Sequence, residues 1–452
     1  MLAERLSVFD PVAAATALSG ESGFLWLDSA AEGHPGAKFS YICLWPVSRI
    51  CLGNTPGAAE RLRAWLRGFR AERTQGGAPF QGGAVGYIAY DIAPALMPRF
   101  ASRHAPGTAA ALEFGLYDTV IAFDHTAGEA TIYSAGISEA GRAADLAVAA
   151  EKIRRLKEML AAGKPAPSAP ELLHWSARTS SSDYIASVRK AQDFIRTGDI
   201  YQANIAGLWT ARALPRTDAF AHYLSLRQQL RAPFSAFGVF GGRLIASFSP
   251  ERLIAATGEG YVRAEPIKGT IRRGSTEDED RALRAELAAS AKDRAENVMI
   301  VDLLRNDLSR VCEAASVSVS SLCRTETFAN LHHLVSTIEG QLETGRDAVD
   351  LIDAVFPGGS ITGAPKLRAM EVIDELEPAA RGIFCGSLGW IGFDGAMDFS
   401  ILIRTLDILP EETRLWAGAG ITLLSDPRAE HDEICLKAER IMAPLRFPVK
   451  ST

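Results

Sequence analysis

A proline-rich segment near residue 165 divides this chain more clearly than any other feature. It runs Gly163-Lys-Pro-Ala-Pro-Ser-Ala-Pro170 and holds three prolines in six positions. Such a run favours a stiff, extended connector, because proline fixes φ and cannot continue a helix. We therefore divide the 452 residues into an N-terminal region, 1–170, and a C-terminal region, 171–452. A chain longer than about 250–300 residues is expected to form two domains or one large layered body.

Short apolar runs bounded by turn residues predict strands on both sides of the connector. The clearest predicted strands are 42–45, 85–90, 119–123, Val239–Phe248, Met397–Leu409 and Arg414–Leu424. Apolar residues at helical spacing predict helices over Ser182–Thr197, Asp278–Ala289, Lys292–Asn306 and Pro365–Glu377. Strands that follow one another favour antiparallel pairing, so the predicted class is α+β, with large antiparallel sheets packed with helices.

Composition argues against several classes of protein. The net charge is -6 and the pI about 5.9, so there is no broad basic surface for nucleic acid. The six cysteines include no Cys-x-x-Cys pair, which is typical of reduced thiols in a cytoplasmic protein rather than of a zinc or redox motif. No run approaches the ~18 apolar residues of a membrane span, and no signal peptide is expected.

Lys268 lies in Pro266-Ile-Lys-Gly-Thr270, within an otherwise apolar region. A crowded or buried lysine amine loses proton affinity, and a neutral amine is a nucleophile. The alternative is a surface lysine in a loop. Glu251 lies just upstream and is expected on the neighbouring strand of a hairpin, where it would complete an acid–base pair. His333 is a further candidate, although a histidine near an apolar run is more often a core residue.

Two pairs of acids have the spacing of metal ligands. Asp293 and Glu296 are three residues apart, as are Glu430 and Glu433. On a helix this spacing puts both carboxylates on one face, where they could bind Mg2+. The alternative is ordinary exposed helix charges, with Glu433 paired to Lys437 four residues on.

Arg404 is expected inside an apolar strand, Ser400 to Leu409. A buried guanidinium needs a partner, which is either a substrate carboxylate or a structural Asp or Glu, and the sequence leaves both open. The small residues Gly418-Ala-Gly420 would allow the backbone to approach a small planar ligand. The glycine-rich turn Pro357 to Lys366 lacks the Lys-Ser/Thr of a phosphate loop, which excludes nucleoside triphosphate binding.

Together these motifs resemble the chorismate-utilising enzymes, the family of anthranilate synthase component I. The resemblance is dense from Asp183 to Lys437 and includes Gly198-Asp-Ile-Tyr-Gln-Ala-Asn204, KDRAENVMIVDLLRND over 292–307 and PGGSITGAPK over 357–366. It implies the fold of that family and chorismate as the substrate. In the N-terminal region the resemblance is thinner and rests on Leu27-Asp-Ser29 and Pro79 to Gly83.

Two positions separate the members of this family. Anthranilate-forming members resemble this chain but have alanine in place of Lys268, and isochorismate-forming members place a water-activating lysine at Gln202. The resemblance therefore implies amination of chorismate at carbon 4 through a covalent Lys268 adduct, in the 4-aminobenzoate and folate pathway. Amination at carbon 2, isochorismate formation and a non-catalytic metabolite-binding protein are the alternatives. Glu265 departs from the family pattern, in which an arginine is frequent, and could alter the charge near Lys268.

The resemblance also assigns roles to residues. Glu251 would be the acid, and Mg2+ would be held by Glu296 and Glu433 with Asp293 and Glu430 close by. Substrate-binding positions would be Gly269, Thr270, Phe384, Arg404, Gly418, Ala419 and Gly420, with His333 in a catalytic role. A candidate tryptophan pocket would comprise Ser29, Lys38, Phe39, Pro233, Phe234 and Ser235. Because no glutaminase triad is recognisable, ammonia is expected from a separate glutamine amidotransferase subunit.

Overall fold

The computed structural model of the protein describes residues 1–31, 33–69, 71–105, 107, 109–137, 144–327 and 331–443. The helices are α1 Pro11–Leu18, α2 Ala58–Leu66, α3 Ala93–Leu96, α4 Leu146–Ala162, α5 Ser181–Arg196, α6 Arg216–Leu230, α7 Glu277–Ala289, α8 Ala291–Leu308, α9 Ala348–Val355, α10 Lys366–Leu376 and α11 Pro427–Met442. Short 3-10 turns occupy Pro35–Ala37, Tyr90–Ile92 and Gly359–Ile361.

The strands are β1 Leu2–Arg5, β2 Leu25–Asp28, β3 Phe39–Cys43, β4 Ser48–Leu52, β5 Gly83–Ile88, β6 Leu112–Tyr117, β7 Thr119–Asp124, β8 Glu129–Ser134, β9 Ser176–Ala177, β10 Gln202–Arg212 and β11 Phe234–Val239. They continue with β12 Leu244–Ser249, β13 Arg252–Ala256, β14 Tyr261–Ala264, β15 Ile267–Arg272, β16 Ser318–Thr327, β17 Leu331–Gln341, β18 Gly363–Ala364, β19 Ser387–Gly392, β20 Met397–Ile401, β21 Thr405–Ile408 and β22 Glu412–Ile421.

The four predicted helices are confirmed as α5, α7, α8 and α10, with ends within two residues of the prediction. Three of them begin after a capping hydroxyl. Ser180, Thr276 and Ser290 each accept a hydrogen bond from a backbone N–H in the first turn of α5, α7 and α8. These hydroxyls satisfy donors that the start of a helix leaves unpaired, which is why the sequence located the starts well.

Two large antiparallel sheets confirm the predicted α+β class. The twelve-stranded sheet has the order β1-β8-β7-β3-β2-β11-β12-β21-β22-β10-β18, with β9 beside β10. The ten-stranded sheet has the order β15-β17-β14-β13-β20-β19-β5-β6-β4, with β16 beside β17. Strands from 1–170 and from 171–452 share both sheets, since β2 pairs with β11 and β5 pairs with β19.

The two sheets pack against each other and carry helices on their outer faces. Leu25, Tyr87, Ile245 and Trp390 belong to the core between the sheets. On the other side of the twelve-stranded sheet, a second core includes buried residues of α5, α6, α10 and α11. A third core joins the ten-stranded sheet to α8 and α9. The layers therefore run helix, sheet, sheet, helix, and alternating side chains of one strand enter different cores.

Two predicted strands are wrong as single strands. Val239–Phe248 is a hairpin, because β11 ends at Val239 and β12 begins at Leu244. Met397–Leu409 is broken after Ile401: β20 belongs to the ten-stranded sheet and β21 to the twelve-stranded sheet. Arg404 lies at this crossover with φ 51, and not inside a strand as predicted.

A second crossover carries Glu251. The chain leaves the twelve-stranded sheet at the end of β12 and enters the ten-stranded sheet at Arg252. Glu251 is therefore not on a strand beside Lys268, whose strand β15 pairs with β17. The two crossovers are joined by their backbones, since Ile401 N donates to Glu251 O at 3.0 Å and Phe248 N donates to Arg404 O at 3.1 Å. This arrangement fixes the two ionisable residues next to each other.

Within the described ranges, no helix has the length and apolar character needed to cross a membrane. All six cysteines lie in these ranges as free thiols.

Candidate active site

Lys268 and Glu251 meet at the 3-10 turn Gly359–Ile361. The Lys268 amine donates a hydrogen bond to the backbone oxygen of Ser360 at 3.2 Å. The side chain of the same serine is hydrogen-bonded to the Glu251 carboxyl. Sequence reasoning matched this glycine-rich turn to the family and assigned Ser360 no role. The sequence signal for Ser360 was its position in that turn, and this position does not reveal where the serine side chain points.

The Glu251 carboxyl is buried in this site. Burial raises its pKa above the ordinary value, while Lys268, the Ser360 hydrogen bond and Arg404 act in the opposite direction. A carboxyl that keeps its proton to higher pH can serve as a general acid near neutrality. The predicted pairing of an acid with Lys268 is therefore present, although it comes from a crossover and not from a hairpin.

The Arg404 guanidinium has no protein partner among the described residues. It makes no ion pair within 4.0 Å and no side-chain hydrogen bond there, although the residue is largely buried. Burial lowers its pKa, Arg440 adds to this effect, and Glu251 opposes it. The structural salt bridge that the sequence left open is thus not formed. A guanidinium without an ion pair, close to Glu251 and His333, is suited to bind a carboxylate of a ligand.

Three acids approach one another on the other side of Lys268. Burial raises the pKa of Glu296, Lys268 and Lys292 lower it, and Asp293 and Glu430 raise it further. Glu430, on α11, is 6 % exposed. The Oε1 atom of Glu296 is buried and accepts no hydrogen bond from the described part of the protein. Carboxylate oxygens, one of them without a protein partner among the described residues, are the donor type that a hard cation prefers.

Glu433, three residues after Glu430 on α11, is engaged with a lysine of the same helix. It is half-exposed and its carboxylate pairs with Lys437 at 2.7 Å, as the alternative interpretation expected. Lys437 also donates to Gly418 O at 3.0 Å, a contact that sequence reasoning missed. In the ranges that the structure covers, no three His, Cys, Asp or Glu side chains form a ready metal-binding cluster. Glu433 as a direct ligand stays a prediction, which would require its carboxylate to leave Lys437.

Gly269, Thr270 and His333 line the same strand pair as Lys268. Gly269 has φ 72, and a Cβ there would lie 2.9 Å from Cγ of Asp293, so α8 can approach only a glycine. The Thr270 hydroxyl and His333 Nδ1 are 2.8 Å apart. Burial, followed by the charge of Arg404, lowers the pKa of His333 to about 4. The imidazole is therefore neutral at pH 7.

Gly418 and Gly420 on β22 leave room for two amide side chains of β10. A Cβ at Gly418 would lie 2.4 Å from Asn204 Oδ1, and one at Gly420 would lie 2.6 Å from Gln202 Nε2. Asn204 Oδ1 and both polar side-chain atoms of Gln202 are buried without a hydrogen-bond partner among described residues. The side chain of Ala419 packs instead in the helix-side core.

Two backbone contacts connect this strand pair to the turn at Ser360. Asn204 N donates to Thr362 O at 2.8 Å, and Tyr201 N donates to Ala364 O at 2.7 Å. Phe384, another predicted substrate-binding residue, is buried and stacks on Trp416 with ring centroids 5.8 Å apart. The predicted residues therefore occupy one region; Glu433 borders it through Lys437, which also contacts Gly418 O, and the side chain of Ala419 packs in the helix-side core.

A cavity of about 260 Å3 lies between the sheets, and we name it the Ser29 cavity. It is lined by all six residues of the candidate tryptophan pocket: Ser29, Lys38, Phe39, Pro233, Phe234 and Ser235. Its buried acid Asp28 accepts a hydrogen bond from Tyr223 at 2.8 Å and pairs with Arg227. Arg252, also in its wall, pairs with Glu265 at 2.8 Å and Asp398 at 2.9 Å.

Glu265, the departure from the family pattern, is held by two arginines. Arg252 and Arg263 each lie 2.8 Å from its carboxylate. The two guanidiniums therefore balance its negative charge. This reduces the electrostatic effect of Glu265 on Lys268, three residues further along the chain.

Comparison with known proteins places these observations in a family. The chorismate binding enzyme family matches residues 23–443. Aminodeoxychorismate synthase component 1 of Klebsiella aerogenes is 40 % identical over 374 residues, covering 81 % of this chain and 78 % of that protein. Anthranilate synthase component 1 of Streptomyces coelicolor is 36 % identical over 453 residues, covering 96 % and 86 %. The crystal structure of anthranilate synthase component I from Streptococcus pneumoniae matches with a TM-score of 0.78 and 28 % identity, covering 91 % of this chain and 93 % of that one.

Proposed function

Because this chain belongs to the chorismate binding enzyme family, we propose that it aminates chorismate at carbon 4 with ammonia. The product would be 4-amino-4-deoxychorismate, in the 4-aminobenzoate and folate pathway. The observation that carries the proposal is the Lys268 amine on Ser360 O, beside the buried carboxyl of Glu251. Several relatives at 33–40 % identity named aminodeoxychorismate synthase component 1 support the same assignment.

The first chemical step forms a covalent adduct. Arg404 and the backbone at Gly418 bind carboxylates of chorismate and orient the ring. The neutral Lys268 amine attacks ring carbon 2, both ring double bonds shift along the ring, from C1=C2 to C1=C6 and from C5=C6 to C4=C5, and the bond from carbon 4 to its hydroxyl breaks. Glu251 gives its proton to the departing hydroxyl, which leaves as water. The Glu251 carboxylate then regains a proton from the new secondary ammonium, so the adduct is chorismate plus lysine minus water.

The second step transfers nitrogen to carbon 4. Ammonia attacks carbon 4, both ring double bonds shift back to their original positions, and the bond between carbon 2 and Lys268 breaks. One proton passes from the attacking nitrogen to the departing amine, which restores neutral Lys268. Splitting one difficult substitution into two steps through a nucleophile is the usual advantage of covalent catalysis.

We propose Mg2+ as the cofactor of this site. When bound, it supplies positive charge to a carboxylate of the substrate. Glu296 and Glu430 would hold it, since Glu430 is buried and the buried Oε1 atom of the partly exposed Glu296 lacks a partner among the described residues. Asp293 and Glu433 are the remaining candidates. Asp293 already accepts a hydrogen bond from Ser290 in the cap of α8.

The nitrogen source is proposed to be a separate glutamine amidotransferase subunit. The names of the relatives, component 1, fit a protein that works with a second subunit. We expect no product from chorismate and glutamine with this chain alone, and product with ammonium salts at alkaline pH. Adding a glutaminase subunit should restore the use of glutamine. Glutamine-dependent turnover by the purified single chain would contradict this part of the proposal.

Amination at carbon 2, as in an anthranilate synthase, is the second candidate. It is favoured by the Streptomyces coelicolor relative, which matches 96 % of this chain. The position of Lys268 against Ser360 favours carbon 4, because an amine nucleophile at carbon 2 blocks ammonia from that carbon. Chromatography and mass of the product with ammonium distinguish the two outcomes.

Intact-protein mass spectrometry tests the proposed chemistry directly. The wild-type protein is incubated with chorismate and Mg2+ but no ammonia, and peptide mapping locates any adduct. We expect a mass increase equal to chorismate minus water on Lys268, and none in Lys268→Ala. A secondary amine, not an imine, is expected, so borohydride should not be needed for trapping. Carbon-4 product with ammonia but no adduct under any quench would refute the covalent route.

A further inference from the structure

A further cavity lies behind the catalytic turn, and we name it the Tyr90 cavity. Its volume is about 270 Å3, and its lining includes Tyr90, Asp91, Phe100, His104, Glu377 and Arg381. It is distinct from the Ser29 cavity and shares no lining residue with it. None of the roles assigned above uses it.

Arg381 connects the Tyr90 cavity to the catalytic segments. Its guanidinium donates to Ile361 O at 3.1 Å and to Asn204 O at 2.6 Å. Ile361 follows Ser360, and Asn204 is one of the two unpartnered amides on β10. The same guanidinium forms a two-point ion pair with Glu377 at 2.9 and 2.7 Å. One buried side chain thus separates the cavity from the proposed chorismate site.

The charges at the Tyr90 cavity do not balance. Its lining includes three carboxyls, Asp91, Asp374 and Glu377, and the guanidinium of Arg381, which is committed to Glu377. Arg243, a second guanidinium close to Asp91, pairs with Asp407 at 2.9 Å. Asp374 accepts hydrogen bonds from the Ser102 hydroxyl and Arg103 N. Asp91 accepts one hydrogen bond from the described residues, from Gly382 N at 3.0 Å, so it has no paired cation there, and burial raises its pKa to about 6.

Two polar atoms at the cavity also lack a hydrogen-bond partner among the described residues. The Tyr90 side chain is 5 % exposed, and its hydroxyl makes no hydrogen bond among the described residues. His104 Nε2 is buried and unpartnered in the same part of the chain. A buried polar atom without a partner costs about 1–3 kcal/mol, so these atoms indicate a ligand that accepts and donates hydrogen bonds.

We propose that the Tyr90 cavity binds one ammonium ion, as a local reserve of the nitrogen co-substrate beside the chorismate site. A monovalent cation supplies the missing positive charge, whereas a divalent ion would overcompensate it. The four N–H groups of ammonium can donate to Asp91, to the Tyr90 oxygen and to His104 Nε2. This inference rests on the proposed use of ammonia.

Crystallography with a cation of similar size tests binding without any turnover. Crystals of the wild-type protein are soaked in rubidium chloride, and anomalous density is compared with that from a sodium chloride soak. We expect a rubidium peak about 3 Å from the Tyr90 oxygen and the Asp91 carboxylate, reduced when ammonium chloride is added. A cavity without a rubidium peak, or with a peak that ammonium leaves unchanged, overturns the proposal.

Kinetics test whether the site serves the reaction. For Asp91→Asn and Tyr90→Phe we expect the KM for ammonium to rise about fivefold or more, with kcat and the chorismate KM within about twofold of wild type. Tyr87→Phe is the matched control, because its hydroxyl donates to Ala110 O outside the cavity. An unchanged ammonium KM, or equal losses in all three constants, overturns the proposal. If the wild type aminates nothing, the proposed function fails, and the rubidium result alone decides the cavity.

Discussion

The proposed chorismate site and the Ser29 cavity differ in whether their polar side chains have partners within the protein. In the Ser29 cavity, Asp28 and Arg252 have protein partners, through Tyr223 with Arg227 and through Glu265 with Asp398. In the proposed chorismate site, Glu296 Oε1 and the Gln202 amide are buried without a hydrogen-bond partner among the described residues, and the partly exposed Arg404 guanidinium forms no ion pair with them. The polar groups of the Ser29 cavity are thus paired without a ligand, whereas those of the proposed chorismate site are not.

This difference indicates where the protein has exchanged stability for function. An unpaired buried polar group costs about 1–3 kcal/mol, whereas a paired one is close to neutral or favourable. Changes in the chorismate site should therefore remove activity and leave stability intact or improved. Changes in the Ser29 cavity should do the reverse. The predictions below follow this contrast, from the largest effect on turnover to the smallest.

Lys268→Ala should abolish most carbon-4 amination, by about a thousandfold or more, because the covalent route is lost. It also recreates the Pro-Ile-Ala-Gly-Thr segment, so a trace of product aminated at carbon 2 is expected. Products are separated by chromatography and identified by mass. Lys268→Arg is the charge-matched control and should be equally inactive. Carbon-4 amination at the wild-type rate in Lys268→Ala would leave this lysine with a structural or electrostatic role only.

Glu251→Gln should lower kcat about a hundredfold to a thousandfold, because the general acid is removed. It should also stabilise the fold at neutral pH. The pKa of Glu251 is raised in the folded state. Protonated Glu251 therefore makes its full contribution to the stability of the fold at low pH, and this contribution is lost as pH rises through the folded-state pKa. The Tm of the variant minus that of wild type should thus grow from pH 4 to pH 8, to roughly 1–3 °C. A difference that is constant or shrinks with pH contradicts this assignment.

Glu296→Gln and Glu433→Gln form a matched pair that distinguishes the acid with a buried, unpartnered oxygen from the half-exposed acid paired with Lys437. We expect the Mg2+ concentration for half-maximal rate to rise about tenfold to a hundredfold in Glu296→Gln, and less than about threefold in Glu433→Gln. Titration of bound Mn2+ by electron paramagnetic resonance gives a readout that does not depend on turnover. Equal losses in both variants would instead restore Glu433 as a direct ligand.

Asp28→Asn should have the smallest effect on turnover and the largest on stability. Breaking its buried ion pair with Arg227 should cost about 2–4 kcal/mol of unfolding free energy, measured by urea denaturation. The chorismate KM and kcat should stay within about twofold of wild type. A large loss of kcat in a variant of normal stability would show that the two regions are not separate.

The helices and the acids on them were the most predictable parts of this molecule. Apolar residues at helical spacing located α5, α7 and α8 to within two residues, and the structure shows a capping hydroxyl at the start of each. The same spacing predicted the Glu433–Lys437 pair as an alternative, and the structure contains it. These features depend on residues close in sequence, for which a local pattern is sufficient.

The crossovers could not be predicted, and they carry two of the site residues. Met397–Leu409 is mainly apolar because both sheets are covered on both faces, and its apolar run Ile401-Leu-Ile403 spans the point where the chain leaves one sheet for the other. Nothing local indicates that Arg404 has a positive φ. Ser360 was missed for a related reason, since its contacts with Lys268 and Glu251 join residues about a hundred positions apart.

The paired crossovers have a consequence for how this site can change. Because backbone hydrogen bonds at 3.0 and 3.1 Å join the crossover of Glu251 to that of Arg404, the spacing between acid and guanidinium is set by main chain and not by rotamers. Point substitutions can alter which groups stand at these two positions but cannot move the positions apart. Proteins with this arrangement can therefore vary the nucleophile and the amides around it. The spacing between the backbone positions of the acid and the guanidinium stays the same for every substrate.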